Sequence, residues 1–115
     1  MRWGRRNKNT ETLLKDALPE FARELDRLLT AEGHIDLAKQ VPELKIVDRC
    51  RCGDDFCSTF YTEPKPQGTY GAGHENIELE PERGMIILDV VNGRIMCVEV
   101  LNRDDVQREL FAAMP

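Results

Sequence analysis

The chain has 115 residues, of which 41% are hydrophobic and 32% are charged, and its formal net charge is −5. A chain of this length forms one domain and buries roughly 65% of the surface that its unfolded form exposes, so folding does not require disulfides. The composition is typical of a soluble globular protein, and the negative net charge argues against a general binder of nucleic acid or anionic membranes. We therefore expect no nucleic-acid partner and no membrane partner.

The N-terminal segment is basic and is not followed by an unbroken apolar run. We therefore expect no export and a cytoplasmic location. Residues 1–9 contain Arg2, Arg5, Arg6 and Lys8 but no acid, and they lack apolar periodicity. They are predicted to form a flexible basic tail in front of a single domain at residues 10–115.

Residues 10–32 have the apolar spacing of an amphipathic helix, with one buried stripe. Pro19 predicts either a kink or a second helix that starts at the proline, and Gly33 predicts the end of the helical region. A shorter helix of one or two turns is expected within residues 34–41. The predicted buried stripe consists of Leu14, Leu18, Phe21, Leu25 and Leu28.

A second amphipathic pattern closes the chain. This helix is predicted to begin near Asn102 or Asp104, with Asp104 and Gln107 as a capping box. Its predicted buried residues are Val106, Leu110, Ala113 and Met114.

The clearest strand pattern surrounds the Asn-Gly dipeptide at positions 92 and 93, which favours a type I′ hairpin turn. It predicts paired strands at residues 85–91 and 94–101, both largely apolar on their two faces and therefore central in a sheet. Residues 77–80 alternate like an edge strand and complete a three-stranded meander. The expected opposite pairs are Val90 with Ile95, Leu88 with Cys97 and Ile87 with Val98.

A second predicted hairpin contains three of the four cysteines. Residues 44–52 alternate in polarity, with Leu44, Ile46, Cys50 and Cys52 expected on the apolar face. Residues 53–55 form a turn, and residues 56–62 form the second strand. An even-numbered loop places Cys52 opposite Cys57 and brings three sulfurs together, whereas an odd-numbered loop turns Cys57 away. The sequence does not choose between these registers.

These elements predict an α+β fold: a mainly antiparallel sheet of about five strands, built from a hairpin and a meander, with N-terminal and C-terminal helices packed on it. The hairpin and the meander are joined by residues 64–76, which are rich in proline and glycine and predict a long loop that contains His74.

Residues 48–62, 87–95 and 98–101 together resemble a family of small, uncharacterised bacterial proteins that share the block Cys-x-Cys-Gly-Asp-Asp-Phe-Cys. The similarity covers roughly the C-terminal two thirds of the chain. It implies a compact cytosolic domain, and the family has no assigned activity or ligand set that could be transferred.

Three functional hypotheses follow, and the favoured one is a non-catalytic interaction module that binds another protein or itself as a homodimer. In this interpretation the cysteines are small core side chains and there is no cofactor. The alternative is a structural zinc site of Cys50, Cys52 and Cys57, with His74 or Cys97 as the fourth ligand. The third is thiol-based redox or nucleophilic chemistry at the same three cysteines.

Overall fold

The computed structural model of the protein describes residues 11–115, so the predicted tail at residues 1–9 lies outside it. The helices are α1 (Leu14–Ala17), α2 (Pro19–Ala31), α3 (Ile35–Ala38) and α4 (Asp104–Ala113), with a 3₁₀ turn at Val41–Glu43. The strands are β1 (Asp48–Arg49), β2 (Phe60–Tyr61), β3 (His74–Leu79), β4 (Met85–Val91) and β5 (Arg94–Leu101).

The five strands form one antiparallel sheet in the order β1-β2-β5-β4-β3. This arrangement confirms the predicted α+β class and the five-stranded sheet. Because β2 lies beside β5 and β3 forms the far edge, residues 62–73 have to pass across β5 and β4 to connect them.

The hydrophobic core lies between the helices and one face of the sheet. Phe21 of α2 packs edge-on against Phe60 of β2, with ring centroids 6.1 Å apart. The strand residues of the core include Leu79, Ile86, Leu88, Val90, Ile95, Val98 and Val100. Within residues 11–115, no helix has the length and hydropathy needed to cross a bilayer.

The local helix signals are confirmed. The first helical region divides at Leu18, and α2 begins with Pro19, whose missing N–H is tolerated in a first turn. After α2, Gly33 has φ of +89°, a conformation that glycine adopts without steric cost.

The predicted capping box of α4 is wrong. Arg103 occupies the N-cap position without a side-chain cap bond, and the Gln107 side chain binds a neighbouring loop instead of the helix end. The Arg103 side chain is 5% exposed and donates bidentate hydrogen bonds to Glu24 of α2 at 2.7 and 2.9 Å. It also donates to both carboxylate oxygens of Asp105, so charge-assisted bonds tie α4 to α2.

The predicted register of the central hairpin is correct at the turn and wrong beyond it. Val90 lies opposite Ile95, but a β-bulge then pairs Asp89 with Cys97 and Leu88 with Val98. The extra residue is Met96, and its insertion moves every later side chain of β5 to the other face. Cys97 therefore lies on the face away from the helices, beside Asp89 and not across from Leu88.

The predicted strand at residues 44–52 is also interrupted. Leu44 and Ile46 are buried in the helical core, and the chain there pairs with residues 12 and 13. From Val47 onward it pairs with β2 instead, since the Val47 N–H donates to the Tyr61 carbonyl at 2.8 Å. This change of partner separates the face of Ile46 from the face of Cys50.

The long loop is shorter than predicted. His74 and the next two residues belong to β3, where His74 pairs with Val91 and Asn76 pairs with Asp89. The connection between strands is therefore residues 62–73, and His74 is held in the sheet.

The hairpin turn gives a first test. Asn92 and Gly93 have φ of +50° and +83°, as a type I′ turn requires. Gly93→Val should destabilise the domain by over ~1 kcal/mol in urea unfolding, because a β-branched residue is strained at positive φ. Asn92→Gly keeps the turn and serves as the control, and equal stability of the two variants would contradict the assignment.

The Arg103 network predicts acid sensitivity. Arg103 first, and Arg83 more weakly, hold the pKa of Asp105 at about 2 against the opposing effect of burial. A group whose pKa is lower in the folded state stabilises the fold at pH values above its unfolded-state pKa. This contribution is lost as the pH falls through the folded-state pKa. Urea midpoints measured from about pH 5 to about pH 2 should fall less in Asp105→Asn than in the control Asp104→Asn. Parallel slopes would argue against the ion pair.

Candidate metal centre

The pairing of β1 with β2 decides the register of the cysteine hairpin. Arg49 lies opposite Phe60, and the Cys50 N–H donates to the Thr59 carbonyl at 2.8 Å. Continued along the chain, this register places Cys52 opposite Cys57 across a loop of residues 53–56. Of the two registers that the sequence left open, the even-numbered one is present.

The three sulfur atoms of Cys50, Cys52 and Cys57 all lie within 4.8 Å of one another. Cys57 is buried, Cys50 is half-buried and Cys52 is exposed. The prediction that Cys50 and Cys52 are core residues is therefore wrong, because their strand has changed faces after Ile46. They form a cluster of free thiols at the surface, and we call it the thiol cluster.

Backbone contacts fix the loop that carries the thiol cluster. The Asn102 N–H donates to the Phe56 carbonyl at 2.8 Å. From α4, the Gln107 amide donates to the carbonyls of Asp55 and Cys57 at 2.8 and 3.1 Å. Anchoring to both the end of β5 and the first turns of α4 means that the sulfurs are brought together by the fold before any ligand binds.

The thiols influence one another's pKa. Burial raises the pKa of Cys57, but hydrogen bonds from Thr59 and from the thiols of Cys52 and Cys50 outweigh it and leave this pKa lowered. Burial, reinforced by the neighbouring sulfurs, raises the pKa of Cys50 to about 11. The cluster thus favours a thiolate at Cys57 and resists a second at Cys50.

The nearby arginines are directed to other groups. Arg49 lies on the Phe60 side, where its guanidinium sits 3.9 Å from the Phe111 ring centroid and donates to the Met114 carbonyl at 2.6 Å. Arg51 is bound to Asp48 at 2.9 Å. The thiol-chemistry hypothesis therefore gains no support from these two arginines, because a cation lowers the pKa of a cysteine only when its charge acts on the sulfur.

His74 and Cys97, the predicted candidates for a fourth ligand, lie outside the thiol cluster. Among residues 11–115, the group of ligand atoms within 4.8 Å of one another contains the three thiols and no fourth member. The His74 Nε2 is 2.8 Å from a carboxylate oxygen of Asp89, and Cys97 pairs with Asp89 in the sheet. Both belong to a second polar group on the same face of the sheet.

This second group is centred on Asp89, which is only 6% exposed. Burial raises the pKa of Asp89, but hydrogen bonds from Glu99, His74 and Asn76 together lower it. The hydrogen bond with Asp89, followed by burial, raises the pKa of Glu99 to about 7. Asp89 and Glu99 therefore share a proton near neutral pH, and we call them the carboxyl pair.

A cavity of about 430 Å³ connects the two groups. Its floor is the sheet face away from the helices, and residues of the 62–73 connection form its other wall. By register, Cys50, Thr59 and Glu99 lie in one row across β1, β2 and β5. Since neighbouring strands are about 4.8 Å apart, the Cα atoms of Cys50 and Glu99 are separated by roughly 10 Å. The lining includes Cys50, Cys57, Tyr61, Tyr70, Asp89 and Glu99.

The carboxyl pair was not among the site residues expected from the sequence. One signal was present: Asp89 interrupts an otherwise apolar strand, where a buried acid requires a partner. The position of Glu99 depends on the bulge at Met96, for which the sequence shows no glycine or other marker.

Comparisons with known proteins gave no match, either to a protein-family model, to a curated protein or to a solved structure. The resemblance noted from the cysteine block stays a prediction.

The carboxyl pair predicts a pH-dependent stability. A group whose pKa is raised in the folded state contributes its full stabilisation of the fold below its unfolded-state pKa. For Glu99 the unfolded-state pKa is 4.5, and the contribution is lost as the pH rises through about 7. Urea unfolding should therefore show a fall in stability between about pH 5 and about pH 8 that is absent in Glu99→Gln. The control is Glu78→Gln, an exposed acid on β3, which should retain the fall. Loss of the fall in both variants, or in neither, would contradict a shared proton.

Proposed function

We propose that the protein binds a zinc ion through the thiolates of Cys50, Cys52 and Cys57. The observation that carries this proposal is the convergence of three sulfur atoms within 4.8 Å of one another on a loop that the backbone already holds in place. Thiolate-rich sets favour soft or borderline metals, and zinc is the common one.

The spacing fits the metal. A tetrahedral zinc ion with Zn–S distances of about 2.3 Å needs sulfurs about 3.8 Å apart. The three sulfurs lie within 4.8 Å, so shifts of about 1 Å in cysteine side chains would complete the set. The exposed position of Cys52 gives an ion access from solvent.

Charge supports the same interpretation. Without a cation, burial and, to a smaller extent, the neighbouring thiols raise the pKa of Cys50 and oppose its ionisation. A bound divalent ion reverses this effect, because a coordinating thiol is deprotonated by the metal charge. The two neighbouring arginines are already engaged, since Arg49 and Arg51 donate to Met114 and Asp48.

The interaction module and the thiol chemistry that the sequence suggested remain predictions. An interaction module would use the sheet face away from the helices, the predicted loop at residues 64–76, or both, and the connection at residues 62–73 partly covers that face. Native mass spectrometry of protein purified without chelator addresses these hypotheses together, because it reports bound metal, subunit number and disulfide mass changes.

The metal proposal is tested by anaerobic titration of the reduced protein with zinc against a chromophoric chelator. One ion per chain is expected, and Cys50→Ser, Cys52→Ser and Cys57→Ser should each lower affinity at least tenfold, as loss of a ligand does. Effects of double variants should be non-additive, because the ligands act as a unit.

Two variants provide matched controls. Cys97→Ala removes the fourth cysteine and His74→Ala removes the histidine, and both residues lie outside the thiol cluster. Both variants should bind one ion with affinity close to that of the unmodified chain. Binding that is absent in the unmodified chain, or that survives loss of Cys52, would refute the proposal.

A further inference from the structure

The thiol cluster supplies three ligands among the described residues, whereas a closed structural zinc site has four. A site with three protein ligands keeps one position for a molecule from solvent. The question is therefore which molecule the surroundings of the fourth position would accept.

Cys50 and Cys57 both line the 430 Å³ cavity, which is within the size range of small-molecule sites. The remaining lining is amphipathic: the rings of Tyr61 and Tyr70 lie beside the carboxyl pair, and Lys65 stands at the exposed rim, 5.7 Å from the Tyr61 ring centroid. A molecule that enters here meets Cys50 and Cys57 of the thiol cluster at one end and the buried Asp89 at the other.

The carboxyl pair selects the charge of that molecule. Asp89 accepts bonds from His74 and Asn76 at 2.8 and 2.7 Å, so it stays ionised in a buried setting. Its negative charge opposes an anion in the cavity and favours an ammonium group. Glu99 lies nearer the thiols than Asp89 does, in the same sheet row as Cys50 and Thr59, and its ionised form can accept one proton.

Building on the proposed metal site, we propose that the fourth metal position opens into this cavity and binds a small neutral or amine-bearing thiol, with the carboxyl pair accepting the thiol proton. The balance is simple: the S–H bond of the ligand breaks, a metal–sulfur bond forms, and the proton passes to Glu99. No electron is transferred. A fourth sulfur suits the softness of the three thiolates.

The test uses the protein loaded with one cobalt(II) ion in place of zinc, whose visible spectrum reports each change of ligand. Three probe thiols of similar size are added: cysteamine, 2-mercaptoethanol and mercaptoacetate, which carry a positive, a zero and a negative charge besides the thiol. Saturable spectral changes are expected, with 2-mercaptoethanol bound about tenfold more tightly than mercaptoacetate near pH 8 and cysteamine bound more tightly still. Each unit of ligand charge roughly 10 Å from a carboxylate changes the affinity about tenfold at an effective dielectric of about 20.

Glu99→Gln should reduce this discrimination near pH 8, where the unmodified carboxyl is ionised, because it removes one of the two carboxylate charges; Asp89 should sustain the remainder. Glu78→Gln, which removes an exposed acid from the same sheet face, should leave it unchanged. A second variant, Pro66→Trp, fills the cavity from the 62–73 connection, away from the segment that carries Cys57, and should abolish probe binding while cobalt stays bound.

Each contrary outcome has a distinct meaning. Failure of cobalt to bind would refute the proposed metal site itself. If cobalt binds but its spectrum does not change with any of the three thiols, the metal site is closed. That result would overturn this inference alone. Equal binding of the three probes, or probe binding that survives Pro66→Trp, would show that the open position does not face the cavity.

Discussion

The pairing of β2 with β5 is the constraint on which the rest of this structure depends. It attaches the cysteine hairpin to the central sheet, with Phe60 opposite Val98, and it leaves β3 at the far edge. The chain between β2 and β3 then has to cross the sheet face that the helices leave uncovered. This crossing brings the Tyr70 ring to 5.0 Å from His74 and encloses the cavity beside the thiols. Pairing of β2 with β3 would have needed no crossing.

The bulge at Met96 decides which chemistry faces that cavity. Without the extra residue, the alternation that places Ile95 in the core would also direct Cys97 and Glu99 toward the helices. With the extra residue, Val98 and Val100 fill the core. Cys97 then lies across from Asp89, and Glu99 lies across from Ile87. A single inserted residue thus keeps an ionisable group out of the apolar layer, where it would have no partner.

The sequence predicted those features that depend on local chemistry. Pro19 divides the first helical region and the Asn-Gly dipeptide at positions 92 and 93 forms its turn because each acts through its own backbone angles. The bulge at Met96 and the change of partner at Val47 were missed because both are settled by distant strands. The thiol cluster was predicted only in part. The sequence identified its three cysteines, but the hairpin register that brings them together depends on the pairing of Arg49 with Phe60.

Thr59 connects the thiol cluster with the carboxyl pair. Its hydroxyl accepts the Val100 N–H at 3.1 Å and hydrogen-bonds to the Cys57 sulfur, and it lies in the sheet row between Cys50 and Glu99. A short β-branched side chain at this position spans the two groups without filling the space above them. Its hydroxyl orients one sulfur, while the absence of a longer chain leaves room for a ligand atom. Two strand spacings, roughly 10 Å, therefore separate Cys50 from Glu99, which suits proton transfer from the proposed ligand to the carboxyl pair better than direct acid coordination of a metal.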